Sequence, residues 1–412
     1  MKLPNKKLND NKSINLYAYI SSISDFDIKE QDYEPYNLSI TLTVINKETF
    51  ENQDYNNESG CDTIILSIGD YPYLCHEVIN FIGFPHENNW FEIKGNICKK
   101  SESNSYFYQA FSELDSDQTY ININEINLIK NEIPSPPPKI TSLSDLESLI
   151  KNEEKEGNKA EFHSFHVGQG MCSLMTIGST GIIFDMGAGK PVQRQTYGRK
   201  RNDLSEDYIN KLESIYILIS HLDDDHWRLM EWEIARSHNI LSKIKKIIIP
   251  DSGVDLSFKN SKIINKVGSL GVDYIINSTA FILNIYRSQP ECINNSNSNC
   301  LVCDIELNKD TILIPGDYVY RKMLKDKNTK IQAIPNNNYS LIIVPHHGDD
   351  ESSKNVPNSV AKPLASRAYF SAGTHAGYSH PRQSSRDAHK NNHFQEIVDN
   401  QCDIIKVAVS IK

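Results

Sequence analysis

Ser220-His221-Leu222-Asp223-Asp224-Asp225-His226-Trp227-Arg228-Leu229-Met230 places four side chains able to bind a metal, His221, Asp223, Asp225 and His226, within six residues. The apolar run Ile215-Tyr216-Ile217-Leu218-Ile219 comes just before it, and a short isoleucine-rich run of this kind predicts a buried strand. The four side chains then sit on the loop leaving the strand's C-terminal end, where α/β folds place their chemistry. Alternate side chains of an extended segment point the same way, so His221, Asp223 and Asp225 converge while His226 comes round the turn. Two imidazoles and two carboxylates suit borderline or hard divalent cations. The competing reading is an acidic turn that caps a helix expected over 227–239, its carboxylates at the positive end.

Around this loop, residues 159–412 alternate apolar strands with glycine turns. Phe162 to Val167, Cys172 to Ile177 and Ile182 to Met186 are separated by Gly168-Gln169-Gly170 and by the turn Gly178 to Gly181, a pattern of two consecutive hairpins. Further strands are expected at Lys246 to Ile249, Cys300 to Ile305, Thr311 to Pro315, Ser340 to Val344, Ala368 to Ser371 and Ile404 to Ile411, with helices between several of them. The expectation is an α/β sandwich.

Residues 1–133 read differently. Five strand-like runs, Ile14 to Ile20, Leu38 to Ile45, Thr63 to Ile68, Trp90 to Ile97 and Tyr120 to Ile126, surround one helical stretch, Tyr71 to Ile82. That order is similar to an OB-fold, a small all-β barrel that often binds single strands. Tyr106, Phe107, Tyr108, Lys99 and Lys100 are its candidate stacking and phosphate contacts; a protein partner is the other use for such a domain. Pro134-Ser135-Pro136-Pro137-Pro138 favours a stiff connector, and with a short helix over Thr141 to Glu153 it forms a linker at 134–158.

The chain has 412 residues, of which 39% are hydrophobic and 23% charged, and a net charge of -10. No global basic field attracts nucleic acid, so local patches must carry any such role. A polar start and the absence of an apolar run of about 18 residues predict a cytoplasmic protein with no membrane segment. The eight cysteines lack the paired spacings of a zinc ribbon or a disulfide framework. Cys300 and Cys303 fall in a strand and read as packed thiols.

Six motifs occur in order: Phe165-His166-Val167-Gly168-Gln169-Gly170, Ile183-Phe184-Asp185-Met186-Gly187, the His221 to His226 loop, Ile314-Pro315-Gly316-Asp317, Val344-Pro345-His346-His347-Gly348 and Tyr378-Ser379-His380-Pro381. Together they resemble the metallo-β-lactamase fold, an αββα sandwich, in the branch similar to the hydrolase domain of ComEC-like proteins. The resemblance implies two divalent ions, Mn2+ or Zn2+, that activate water for attack on a phosphodiester. By the same resemblance His221 and Asp223 hold one ion and Asp225 and His226 the other. Asp317 bridges both, and His346 adds a ligand, favoured over His347 as the residue nearer the strand. Asp225 also orients the nucleophile, and His380 contacts phosphate or donates a proton. Asp185 and His347 are expected as outer partners of the ligands. Asp223 stands where most of the superfamily has histidine, which tilts preference toward manganese. Met171 and Trp227-Arg228 also depart from the pattern, at the substrate pocket.

The basic run Lys190 to Arg201 follows the Asp185 loop, and Lys190, Arg194, Arg199, Lys200 and Arg201 are candidate phosphate contacts. The expected activity is that of a nuclease or phosphodiesterase, with DNA ahead of RNA as substrate. The alternatives are a hydrolase of small nucleotides or other small esters and amides, or a silent metal-binding module in a defence or DNA-processing system.

Overall fold

Alternating burial over residues 91–98 and the fully buried strands Thr180–Met186 and Ser214–Leu218 show the two patterns from which the halves of the chain are built. A computed structural model describes residues 13–23, 40–46, 64–68, 89–103, 105–109, 119–130, 139–189, 192, 194–251, 263, 265–290, 299–360, 366–372, 380–400 and 404–412. The chain divides into two units, Met1–Pro137 with Gly253–Ser261, and Pro138–Ser252 with Lys262–Lys412.

In the first unit β1 (Ser13–Ile23), β2 (Ile40–Asn46), β3 (Ile64–Ile68), β4 (Asn89–Cys98), β5 (Tyr106–Gln109) and β6 (Thr119–Lys130) close a barrel in the order β1-β2-β3-β5-β6-β4. Along β4, Phe91, Ile93 and Ile97 turn inward and are buried, while Glu92 and Lys94 face out. The β4–β6 register shifts between Lys94 and Gly95, and a side chain at Gly95 would collide with the Asn122 carbonyl at 2.5 Å. Such an irregularity bends a long strand, which helps the barrel close. β5 is a sixth strand beyond the five expected, and it corrects one assignment. Phe107 is 3% exposed and packs inside the barrel, so it cannot stack on a base. Tyr106 instead faces Tyr120, ring centroids 5.7 Å apart, and Lys99 and Lys100 are exposed. The helix expected over 71–82 and the Tyr108 side chain lie outside the described residues.

The second unit contains two sheets. β7 (Lys139–Ile140), β8 (Ala160–His166), β9 (Cys172–Ile177), β10 (Thr180–Met186), β11 (Ser214–Leu218), β12 (Ile244–Pro250) and β13 (Val267–Leu270) form the first with the C-terminal strand Lys406–Ile411, which pairs with β8. The second runs β14 (Tyr274–Asn277), β15 (Phe281–Arg287), β16 (Leu301–Leu307), β17 (Asp310–Ile314), then β19 (Leu341–Ile343), β21 (Arg367–Phe370) and β22 (Gln395–Val398). The short pair β18 (Asn338–Tyr339) and β20 (Asn358–Ser359) lies apart, and the C-terminal strand is β23. The inner faces share one core: Phe184, Tyr216 and Leu218 from the first sheet pack with Leu283, Ile305 and Ile343 from the second. Cys303 lies in this core and Cys300 in the cluster on the outer face of the second sheet. Both thiols are buried, and burial pushes Cys300 up to about 12 and Cys303 well above its ordinary value.

Helix α1 (Ser144–Lys155), placed in the linker by sequence, puts Leu146 and Ile150 into the shared core. The turn into β10 is tied to it, because the Ser179 N–H and hydroxyl donate to the Glu153 carboxylate at 2.9 and 2.7 Å. α2 (Arg194–Arg199), α3 (Arg228–Arg236) and α4 (His238–Lys243) follow. The helix expected over 227–239 thus breaks at Ser237, whose extended backbone caps α4. α5 (Tyr320–Met323), α6 (Thr329–Ala333) and α7 (Gln383–Asn391) complete the elements. β10, β11 and β12 run parallel, as do β17, β19 and β21. Chain segments leaving β10, β11, β17, β19 and β21 carry the site. No helix among the described residues is long and apolar enough to cross a membrane.

Candidate metal centre

The loop after β11 is pinned before it reaches its functional side chains. Ser220 donates from its N–H and its hydroxyl to the two oxygens of Asp185, at 2.6 and 2.9 Å, and its carbonyl accepts from Leu301 N–H at 2.9 Å. Asp185 is buried and adopts φ 53°, a left-handed conformation uncommon outside glycine. It is held there by these bonds and by His226 Nδ1 at 2.9 Å. Gly187 lies flat under the loop: a Cβ there would stand 1.5 Å from the Asp225 carbonyl oxygen. Met171 N–H donates to that same carbonyl at 3.1 Å. The loop closes in a tight turn over Asp224–His226, and Trp227, buried, donates its indole N–H to the Leu222 carbonyl at 3.0 Å.

Gly316 brings the exit of β17 against this loop. It has φ +58°, and a Cβ would lie 2.5 Å from the Ser220 side chain, so only glycine fits in both space and conformation. Its carbonyl accepts from His346 N–H at 3.3 Å, which joins the exits of β17 and β19. His346 and His347 follow with φ 48° and 54°. Two successive left-handed residues are costly and mark backbone held by its surroundings.

The side chains meet around Asp317. On one side, His221 Nε2 is 3.4 Å from Asp223 Oδ2 and 3.8 Å from Asp317 Oδ2, and His346 Nε2 is 3.9 Å from that same oxygen. On the other, His226 Nε2 is 3.2 Å from Asp317 Oδ1 and 3.8 Å from Asp225 Oδ1. His347 Nε2 is 3.0 Å from Asp225 Oδ2 and 3.8 Å from Asp317 Oδ1. Two ligands about 2.1 Å from one ion lie about 3 to 3.5 Å apart, and these intervals fall at or just beyond that range.

Each histidine is fixed from behind. His226 rests on Asp185, His347 Nδ1 donates to the Ser371 carbonyl at 2.8 Å, and His346 Nδ1 meets Asp349 Oδ2 at 2.9 Å. With Nδ1 occupied, Nε2 is left for the cluster. His221 Nε2, His226 Nε2, His347 Nε2 and Asp317 Oδ1 are buried with no hydrogen-bond partner. Unpartnered buried polar atoms are rare and expensive. Four of them facing one another fit divalent cations; the candidate ligand atoms of His221, His226 and Asp317 all lie within 4.8 Å of one another, as do those of Asp225, His226 and His347.

Charge binds the cluster together. Burial opposes ionisation of Asp317, but His226, His347 and His346 outweigh it and hold the carboxyl well below its ordinary range. Asp225 is lowered the same way, against burial, by His226 and His347. His226 is conversely raised well above its ordinary value against burial by Asp317, Asp185 and Asp225.

His347 was expected as an outer partner; its backbone is left-handed and its buried Nε2 faces Asp225 and Asp317. His346 also reaches Asp317. His380 lies beside them, its ring centroid 5.9 Å from that of His346 and its Nδ1 3.4 Å from Gln169 Nε2. Burial, reinforced by the neighbouring His346 and His347, pushes this imidazole down to about 3, so it is neutral in ordinary buffers. His163 Nδ1 bonds to the Ser410 hydroxyl at 2.8 Å, and His166 Nδ1 lies 3.1 Å from Asp399 Oδ1. Arg199, Lys200 and Arg201 are exposed at the end of α2. Arg194 opens α2 with its side chain outside the described atoms, and Lys190 lies outside the described residues. The sequence reading missed Asp349 and Ser371; Asp349, three residues after His346, was visible as a short polar neighbour.

No protein-family model matches the chain, and no curated protein does. Solved structures that it resembles include the metallo-beta-lactamase fold protein YhfI from Bacillus subtilis, 12% identical over 62% of this chain and 99% of that one, TM-score 0.33. Another is a metal-dependent hydrolase from Parabacteroides distasonis, 12% identical over 60% and 96%, TM-score 0.34. A third is CmlA, a diiron beta-hydroxylase from Streptomyces venezuelae, 12% identical over 75% and 69%, TM-score 0.36.

Proposed function

We propose that this chain is a metal-dependent phosphodiesterase of the metallo-β-lactamase type, acting on DNA. The observation that carries the reading is the set of four unpartnered buried atoms on His221, His226, His347 and Asp317, turned toward one another at the strand ends. Bound divalent ions supply positive charge that acidifies water and offsets charge on a phosphoryl oxygen. The oxygens of Asp223, Asp225 and Asp317 among the nitrogens favour manganese more than an all-histidine set would.

Asp225, less enclosed than Asp317, accepts the proton of the attacking water and orients it. His380, kept neutral, serves better as a hydrogen-bond donor to a phosphoryl oxygen than as a proton source, and Gln169 steadies its ring. Arg382, two residues further on, adds an exposed cation, and Arg199, Lys200 and Arg201 give sequence-independent phosphate contacts. In the barrel, Lys99 and Lys100 beside the Tyr106–Tyr120 pair offer a surface for a single strand, in keeping with an OB-like domain.

The test is hydrolysis of labelled single-stranded and duplex DNA with manganese, magnesium or zinc, beside Asp225→Ala and with bound metal measured. Metal-dependent cleavage that the substitution abolishes is expected. Protein carrying metal that cuts neither DNA form removes the nuclease reading, and turnover of a small phosphodiester alone moves the assignment to small nucleotides.

A further inference from the structure

The neighbouring histidines 346 and 347 have unequal supports. His347 Nδ1 meets a neutral carbonyl, that of Ser371, whereas His346 Nδ1 meets the carboxylate of Asp349. That carboxylate cannot swing away, because its other oxygen accepts from Ser352 N–H at 2.8 Å and from the Ser352 hydroxyl at 2.5 Å. Ser352 is buried, so the support is part of the interior. A carboxylate behind an imidazole fixes the ring, places the proton on Nδ1 and makes the far nitrogen a stronger donor of electrons. For His346 that far nitrogen is turned to Asp317 Oδ2. Asp350, the next residue, turns outward to Arg382 and Ser384.

We propose that Asp349 is a positioning residue that makes His346 a metal ligand, so that the paired histidines serve opposite sides of Asp317. His346 joins His221 and Asp223 on the Oδ2 side; His347 joins Asp225 and His226 on the Oδ1 side. The Oδ2 side then has three carboxylates in its support, Asp223, Asp317 and Asp349. This assignment rests on the metal-centre reading above and adds to it a residue and a division of labour.

The experiment is titration of metal-stripped full-length protein with Mn2+ by calorimetry, with bound metal counted by elemental analysis. Wild type is expected to take two ions. Asp349→Ala weakens one of them by about 10- to 100-fold and the other by clearly less, through the shared Asp317. Asp349→Asn, whose amide oxygen still accepts from Nδ1–H but carries no charge, falls between. Asp350→Ala, the adjacent control, binds both as wild type does. Asp349→Ala that binds both ions with unchanged affinity while only its melting temperature falls overturns the proposal, since the residue is then merely structural. If Asp349→Ala does not fold, the Asn variant decides, and wild-type affinity for both ions in it overturns the proposal equally. Wild type that binds no ion overturns the metal-centre reading itself, a different failure from either of these.

Discussion

His226 on the ligand loop and His389 on α7 are both buried imidazoles, and they differ in what their second nitrogen meets. His389 Nδ1 donates to the Ser385 carbonyl at 2.8 Å and its Nε2 accepts from the Tyr320 hydroxyl at 3.0 Å. Phe370 and Phe394 stand edge-on to its ring. Every polar atom is used and the ring stays neutral, its burial pushing it down to about 4. His226 uses one nitrogen on Asp185 and turns the other, unpartnered, to carboxylates that raise its basicity. Of these two, His389 is satisfied by the fold, and His226 is left incomplete by it.

The largest effect that could break this contrast comes from crossing two substitutions. His226→Leu is expected to abolish high-affinity Mn2+ binding, while His389→Leu keeps it and loses about 1–3 kcal/mol of stability from the stranded Tyr320 hydroxyl. Calorimetric titration and chemical denaturation measure the two. Equal loss of metal in both variants would erase the distinction.

Next in size is the acid limb of stability. The folded His389 value, about 4, lies below its ordinary 6.5, so the unfolded chain takes up the proton first. The stability this group contributes is present above pH 6.5 and is lost as pH falls toward 4. It amounts to at most about 3 kcal/mol, and His389→Leu should flatten melting temperature against pH in that window.

Glu233 on α3 sharpens the contrast from between the two cases. Its Oε1 is buried without a hydrogen bond, yet Arg236 lies 3.7 Å away and the Ser205 hydroxyl donates to its other oxygen at 3.2 Å. Burial, only partly offset by Arg236, pushes it up to about 7 from 4.5. The stability linked to its proton is full below pH 4.5 and is lost as pH rises through 7. Glu233→Gln should therefore gain about 1–2 kcal/mol at pH 8 and little at pH 5, with metal content unchanged. A fall in bound metal would mean that this carboxylate also belongs to the centre.

The loop from His221 to His226 was readable because its four candidate side chains fall within six residues and follow an unmistakable strand. Asp317 and the two histidines were readable only as members of an ordered series, since Gly-Asp alone is an ordinary turn. The β14–β15 hairpin went unread for a local reason. Its turn at Ser278 to Ala280 lacks glycine and proline and is closed by the Ser278 hydroxyl, which donates to the Phe281 carbonyl at 2.9 Å, so no strong turn residue separates the two strands. The inward turn of His347 depends on backbone angles that no residue type announces. Phe107 was misjudged because aromatic residues next to lysines look alike whether they line a groove or fill a core.

Asp317 gives one oxygen to each side of the cluster. On the proposed two-ion reading such sharing would make the two positions dependent on each other: a cation on one side would fix the carboxylate's orientation and draw on its charge, altering what the other side offers. By thermodynamic reciprocity the second side must return the same influence on the first. On the proposed two-ion reading, occupancy of the pair would then be a coupled quantity, with Asp317 as the shared link.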